Sequence, residues 1–148
     1  MSEIKIQIQE TLKTAMRQQE KKRVEALRFI LAAIKQKEID ERVVLEDVAV
    51  MAILDKQAKQ RRESIEQYEK AARSDLVSQE QFELDLIQSF LPKPLEEAEV
   101  LHYISDEIKT LQAHGMKDMA KVMAALKPKL QGRTDLGHVS ALVKQKLS

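Results

Sequence analysis

The sequence predicts an all-α protein, with a four-helix N-terminal part followed by a small three-helix C-terminal part. Apolar residues recur at three- and four-residue steps, and the alternating segment at 4–8 has no second strand to pair with. Glycine and proline number only three each, too few for a loop-rich fold. Aromatic residues make up 3% of the chain, so the core must consist of Leu, Ile, Val, Met and Ala, which favours helices.

Four helices are predicted in the N-terminal part. The first three are amphipathic segments that end near Gln19, Glu38 and Ala72. The fourth has the clearest start signal in the sequence, a candidate N-cap at Ser78 with Gln81 three residues later. It stops before Pro92, because proline disfavours helical backbone in the residue that precedes it. We therefore expect an N-terminal helical domain at 1–92 and a C-terminal domain at 93–148.

Three shorter helices are predicted beyond this boundary. The apolar stripe at 101–111 predicts a fifth helix that closes at Gly115, since glycine readily adopts the left-handed backbone found at helix ends. The stripe at 119–126 predicts a sixth helix, which should end or kink at Pro128. A short final helix is expected after Asp135.

Positive charge is concentrated at the end of the chain. Residues 116–148 hold seven basic and two acidic side chains, a net charge of +5, whereas residues 93–115 carry −3. A basic end on an otherwise balanced protein is typical of a surface that meets a polyanion, although a merely solvated surface is the alternative. This tail has no aromatic residue on which single-stranded bases could stack. Phosphate contact and shape recognition of structured RNA remain as possible modes.

The residue types and spacings indicate no catalytic site, metal or cofactor. Cysteine is absent and the glycines are scattered, which excludes thiolate chemistry and phosphate-binding glycine loops. The three histidines lie twelve and twenty-four residues apart, which is no metal-ligand spacing: His102, His114 and His138. Met116, Met119 and Met123 could form a soft partner-binding surface, but their helical spacing favours core packing.

The N-terminus and the hydropathy pattern predict a soluble, cytoplasmic protein. The first residues, Met-Ser-Glu-Ile-Lys, contain no uninterrupted apolar run of the kind that signal peptides carry. No stretch approaches the ~18 apolar residues of a membrane span. We therefore expect no contact with a membrane.

Several tracts together resemble the YqeY family, small proteins with the GatB/YqeY domain. They read KQRRESI at 59–65, ARSDLV at 72–77, FLP at 90–92, MKDMAKVM at 116–123, PKL at 128–130 and GR at 132–133. The resemblance covers essentially the whole chain. Two positions depart from the family pattern: Ala120 stands where glycine is usual, and Gly137 comes one place later than the usual second glycine of the loop.

The resemblance implies a binding role and assigns no catalytic role to any residue of this chain. The C-terminal half is similar to the tail domain of the B subunit of the tRNA-dependent amidotransferase, which helps to hold tRNA while the reaction occurs elsewhere. It implies a non-catalytic accessory protein that binds tRNA or another structured RNA. The residues to which it carries that contact are Lys117, Lys121, Lys129, Gly132 and Arg133.

Two alternatives come from other functional classes. The family label of carbon–nitrogen ligase activity, with glutamine as amide donor, implies a supporting component of a larger enzyme assembly. The long N-terminal helices instead suit an adaptor that grips a protein partner. The sequence leaves all three possibilities open.

Overall fold

Helices make up nearly all of the ordered structure. The computed structural model describes residues 2–148, which contain seven α-helices, one short 3₁₀-helix and no strand. The prediction of an all-α protein is confirmed. The α-helices are α1 Glu3–Arg17, α2 Lys21–Glu41, α3 Asp47–Lys70, α4 Ser74–Ser89, α5 Glu97–Leu111, α6 Met119–Leu130 and α7 Leu136–Leu147, and the 3₁₀-helix Met116–Asp118 precedes α6.

Two compact units divide the chain, Met1–Pro92 and Lys93–Ser148. Each has its own apolar core. In the first unit the fully buried side chains from α1, α2 and α3 include Ile8, Leu27, Ile30, Ile34 and Leu54. In the second unit they come from α5, α6 and α7 and include Ile104, Val122, Leu126, Leu130, Val139 and Val143. Aliphatic residues dominate both cores, as the scarcity of aromatic residues requires.

The start of α1 is joined to α3 by partly buried hydrogen bonds. Ser2 is the N-cap of α1, since its Oγ accepts a hydrogen bond from the Lys5 amide. The same hydroxyl donates to the Asp47 carboxylate on the first turn of α3. The Ile4 amide donates to this carboxylate as well, at 3.2 Å. One carboxylate therefore positions the first turn of α1 against α3.

The fourth helix begins one turn earlier than predicted, so the assignment of Ser78 as an N-cap is wrong. The amides of Leu76 and Val77 donate to the Arg73 carbonyl at 3.1 and 3.0 Å, and helical hydrogen bonding therefore starts there. Arg73 in turn pairs with Asp75 across the first turn, at 3.1 Å. Neither glycine nor proline marks this turn, which is why the capping pattern at Ser78 was the stronger signal.

The fifth helix ends before Gly115, contrary to prediction. Gln112 takes the left-handed backbone, with φ 52°, and the Ala113 amide donates to the Ile108 carbonyl at 3.0 Å. Ala113 is buried, so packing of the residue after the helix holds Gln112 in a conformation that glycine would adopt more easily. Gly115, with φ 73°, instead precedes the 3₁₀-helix.

An end or a kink of the sixth helix was predicted at Pro128, and the helix does not end there but continues to Leu130. Val122, Leu126 and Leu130 recur four residues apart and are completely buried, so the core contact at Leu130 requires helix beyond the proline. Pro128 lies on the exposed face. There the carbonyl that loses its partner, on exposed Ala124, can be hydrated.

Candidate RNA-binding surface

The exposed lysines at the entrance of α6 are the main feature of the candidate surface. Lys117 lies in the 3₁₀-helix and Lys121 in the first turn of α6, and both are exposed. Neither forms an ion pair with any carboxylate of residues 2–148. The nearby acidic residue is otherwise engaged, because the Asp118 carboxylate accepts a hydrogen bond from the His114 amide at 2.7 Å. Two uncompensated positive charges therefore face solvent here.

Lys129 differs from these two lysines because its charge is compensated. Its ammonium group pairs with the carboxylate of Glu107 on α5, which is only 6% exposed. The hydrogen bond to Glu107 raises the pKa of Lys129 above its usual value. The contact holds α6 against α5. The ion pair between Lys129 and Glu107 must therefore break before Lys129 can contact a phosphate.

Gly132 and Arg133 form the turn that follows α6. Gly132 has φ 82°, a left-handed backbone that any other residue would adopt only with strain. The Arg133 amide donates to the Leu130 carbonyl at 3.0 Å, and the Arg133 carbonyl accepts from the Leu95 amide at 2.8 Å. Its Nε is buried and has no hydrogen-bond partner within residues 2–148. The turn is therefore anchored through its backbone to the segment that precedes α5.

The predicted site residues do not lie in one row. Along α6, Lys121 and Lys129 are separated by about 80° around the axis and about 12 Å along it. Gly132 and Arg133 lie beyond the end of this helix. Three exposed lysines that the resemblance did not single out extend the basic charge to the ends of α6 and α7: Lys127, Lys144 and Lys146. Their only sequence signal is their charge.

The two departures from the family pattern have different structural settings. Ala120 is exposed in the first turn of α6, so its methyl group lies on the surface beside Lys121. Gly137 belongs to the cap of α7, where its amide donates to the Asp135 carboxylate at 3.0 Å. A Cβ at Gly137 would lie 3.4 Å from Asp135 Oδ1, an ordinary van der Waals distance, so the helix cap does not itself require glycine here.

The methionines and histidines that were considered as candidate site residues lie either against the C-terminal core or on the surface. Met119 and Met123 are partly buried against the C-terminal core, whereas Met116 is 45% exposed. His138 lies on the surface, with its Nε2 3.0 Å from Glu97 Oε1. Residues 2–148 contain no group of three or more His, Asp or Glu side chains arranged to hold a metal ion. Among the helices of these residues, none combines the length and the hydropathy that a membrane-spanning segment requires.

Fold and surface together define an all-α protein of two small helical units, the second of which displays unpaired lysines. The chain belongs to the Yqey-like protein family, whose model matches residues 5–147.

Fungal proteins with a mitochondrial name are among its relatives. The chain is 38% identical over 123 residues to "Altered inheritance of mitochondria protein 41, mitochondrial" of Eremothecium gossypii, covering 79% of this chain and 66% of that protein. The protein of the same name from Pyrenophora tritici-repentis is 28% identical over 141 residues, covering 93% and 77%. That from Lachancea thermotolerans is 36% identical over 85 residues, covering 57% and 46%. The chain thus spans just under two thirds of the first of these relatives.

These names contradict the prediction of a cytoplasmic protein, since all three describe mitochondrial proteins. Sequence composition is a weak guide to compartment, because the apolar spacing that builds a helical core is the same wherever the protein folds.

Proposed function

We propose that this protein is a non-catalytic accessory protein that binds tRNA or another structured RNA through its C-terminal unit. The observation that carries the proposal is the pair of exposed, unpaired lysines at the entrance of α6, Lys117 and Lys121. Lysine is a flexible point charge that suits contact with phosphates. The resemblance of this half to a tRNA-holding tail domain supports the same partner.

The other residues of the surface take subsidiary roles. Lys127, near the far end of α6, is exposed and adds a further phosphate contact. The turn at Gly132 and Arg133 shapes the end of the surface, since its backbone is fixed to Leu130 and Leu95. Lys129 contributes only in so far as a phosphate replaces Glu107 as its partner.

Recognition in this mode depends on the RNA backbone rather than on its bases. The charged residues proposed for contact are lysines and Arg133, which neutralise phosphates, and residues 116–148 contain no Phe, Tyr or Trp on which bases could stack. Affinity should therefore fall steeply with salt and depend on the fold of the RNA more than on its sequence.

A gel-shift salt series with the full chain and unmodified tRNA tests the proposal. Neutralising both lysines, Lys117→Gln with Lys121→Gln, should weaken binding at low salt. It should also reduce the slope of log K against log salt by about 1.4–1.8, because each lost phosphate contact removes ~0.7–0.9. The matched control is Lys56→Gln with Lys59→Gln, which removes the same charge from exposed positions on α3. The control should bind as the wild type does.

The same salt series examines Lys129. Replacing its partner, Glu107→Gln, removes the carboxylate that compensates the lysine and should increase the slope by about 0.7–0.9. Absence of binding by the wild-type protein at low salt would refute the proposal. If the α6 double variant and the α3 double variant lose the same amount of RNA affinity, the binding depends on net charge alone and the proposed site is wrong.

A further inference from the structure

A row of unpaired cations lies on the exposed face of α2. Lys21, Arg28 and Lys35 are all exposed and recur seven residues apart. Seven residues turn an α-helix by about 700°, close to two full turns, so the three side chains lie on one side of α2 over about 21 Å. None of them forms a hydrogen bond or an ion pair within residues 2–148. This row belongs to the first unit and shares no residue with the surface proposed at α6.

The row keeps its positive charge when all the charges around it are counted. Residues 21–35 carry five basic side chains and one acidic, Glu25, which is exposed. In the turn before α2, the charges of Arg17 and Glu20 cancel. The acidic side chains of α4 beside α2 are already engaged, one with Arg73 and two with Arg61, so this group adds −1. The resulting charge of +3 favours an anionic partner.

Helix stability does not account for the position of these cations. The first turn of α2 contains Lys21, Lys22 and Arg23 and no acidic residue. The positive end of the helix dipole lies in this turn and disfavours cations there. In contrast, α1, α3, α4 and α5 each have an acidic residue in the first turn. Departures from such a local rule are typical of functional positions.

An exposed aromatic ring lies beside the row. Phe29 directly follows Arg28 and is 59% exposed, although the chain has only three phenylalanines. With Phe82 of α4, which is 39% exposed, it lines a groove of about 720 Å³ between α2 and α4. The Cζ of Arg61 on α3 lies 5.8 Å from the centre of the Phe29 ring, within the range of a cation–π contact. The ring is therefore held in place while most of the side chain is open to water.

Cations beside an exposed aromatic ring are the features with which proteins bind single-stranded nucleic acids. The cations neutralise phosphates along the strand, and an unpaired base stacks on the ring. A base-paired segment would leave the ring unused, because its bases already stack on one another. A lipid surface is disfavoured because the apolar stripe of α2, with Leu27 and Ile30, is buried in the core and does not insert.

We propose that the exposed face of α2 binds a single-stranded segment of nucleic acid. Lys21, Arg28 and Lys35 contact successive phosphates, and Phe29 stacks on a base of the same strand. The interaction is separate from the binding of structured RNA by the C-terminal unit and holds whether or not that unit binds RNA.

Fluorescence anisotropy with the full chain and labelled ten-nucleotide strands of uridine and of thymidine tests this proposal. Binding of either strand at low salt supports it, and the tighter strand identifies the source as RNA or DNA. Lys21→Gln with Arg28→Gln should reduce the slope of log K against log salt by about 1.4, because each contact with a single strand contributes ~0.7. The matched control, Lys56→Gln with Lys59→Gln, removes the same charge from α3 and should keep the wild-type slope.

Stacking on Phe29 has its own readout. Phe29→Leu keeps an apolar side chain without a ring and should weaken binding at least fivefold. The chain has no tryptophan, so Phe29→Trp introduces a single fluorophore that should retain affinity and be quenched by the bound strand. Val44→Trp, at another exposed apolar position, should not be quenched. Both Phe29 variants should keep the wild-type helical signal, since the side chain is exposed.

Three further results bear on the partner. Lys117→Gln with Lys121→Gln should leave binding of these strands unchanged, which separates this face from the surface at α6. The proposal is overturned if neither strand binds at low salt, or if Phe29→Leu binds as tightly as the wild type. It is also overturned if a ten-residue polyglutamate binds as tightly as the strands do, or if anionic phosphatidylserine vesicles bind through Phe29.

Discussion

Glu38 joins three parts of the N-terminal unit through one carboxylate. It accepts a hydrogen bond from the Lys5 ammonium of α1 at 2.6 Å and another from the Leu45 amide at 2.9 Å. The first contact holds α1 on α2, and the second orders the loop that leads to α3. Both lower the pKa of Glu38 below its ordinary value of 4.5, with the Lys5 hydrogen bond as the larger cause.

The lowered pKa of Glu38 leads us to expect that its contribution to stability decreases in acid. Because the carboxyl of the unfolded chain takes up its proton first, this contribution is complete above about pH 4.5 and is lost as the pH falls through the folded pKa. We expect Glu38→Gln to lower the urea midpoint at pH 7, with the difference from wild type shrinking towards pH 3. Glu41→Gln, an exposed neighbour on the same helix, is the control. A Glu38→Gln difference that does not vary with pH would contradict this assignment.

Four helix ends show how elements terminate in a chain with few glycines. Within two residues of the ends of α1, α2, α3 and α5, a residue other than glycine adopts a left-handed backbone: Gln19, Arg42, Ala72 and Gln112, with φ between 52° and 56°. After α3, the Arg73 amide reaches back to the Tyr68 carbonyl at 2.9 Å, and the Ala72 amide to Glu69 at 3.1 Å. Each helix therefore ends in the hydrogen-bond pattern that usually carries glycine.

Ala72→Gly should stabilise the N-terminal unit. A left-handed alanine is strained by ~1–2 kcal/mol, and relief of this strain exceeds the ~0.5–1 kcal/mol entropic cost of glycine. We expect a net gain of about 0.5–1 kcal/mol in urea unfolding. Ala71→Gly, one residue earlier at φ −86°, is the matched control and should destabilise by a similar amount. If both glycines destabilise, the turn is not under strain in the way that its backbone angles indicate.

The chain has two apolar cores rather than one. Fully buried aliphatic residues of α1–α3 form one cluster, joined by α4, and those of α5–α7 form the other. The second unit spans only residues 93–148, and a unit of this size has a net stability of roughly 3–8 kcal/mol. A single cavity in its core can remove most of this stability.

Leu126→Ala should therefore destabilise the C-terminal unit selectively. Leu126 is completely buried on α6, and truncation of such a leucine costs about 2–5 kcal/mol. In amide NMR spectra of the full chain over a urea series, we expect the folded signals of residues 93–148 to be lost at lower urea than in the wild type, while those of the first unit keep their wild-type midpoint. Leu54→Ala, equally buried on α3, is the reciprocal control. Simultaneous loss of both sets of signals would show that the two cores unfold together.

The sequence predicted where the helices lie better than it predicted where they begin and end. Apolar spacing located every α-helix, because a helix buries one stripe and that stripe is written in local sequence. Ser78 and Gly115 misled because each is a local signal, and Pro128 did not end its helix. The burial of Ala113 ended α5 without glycine, and the burial of Leu130 carried α6 past proline.

The candidate site also has features that the local sequence determines and features that only the tertiary structure decides. Sequence alone determined the all-α fold, the composition of the core and the concentration of lysines at the end of the chain. Only tertiary structure decided which lysines are free, since the pairing of Lys129 with Glu107 joins residues on different helices. It also brought Phe29, Arg61 and Phe82 from three helices into one groove. The physical reason is range: helical periodicity acts between neighbours in sequence, whereas charge compensation and concave surfaces arise from residues far apart in the chain.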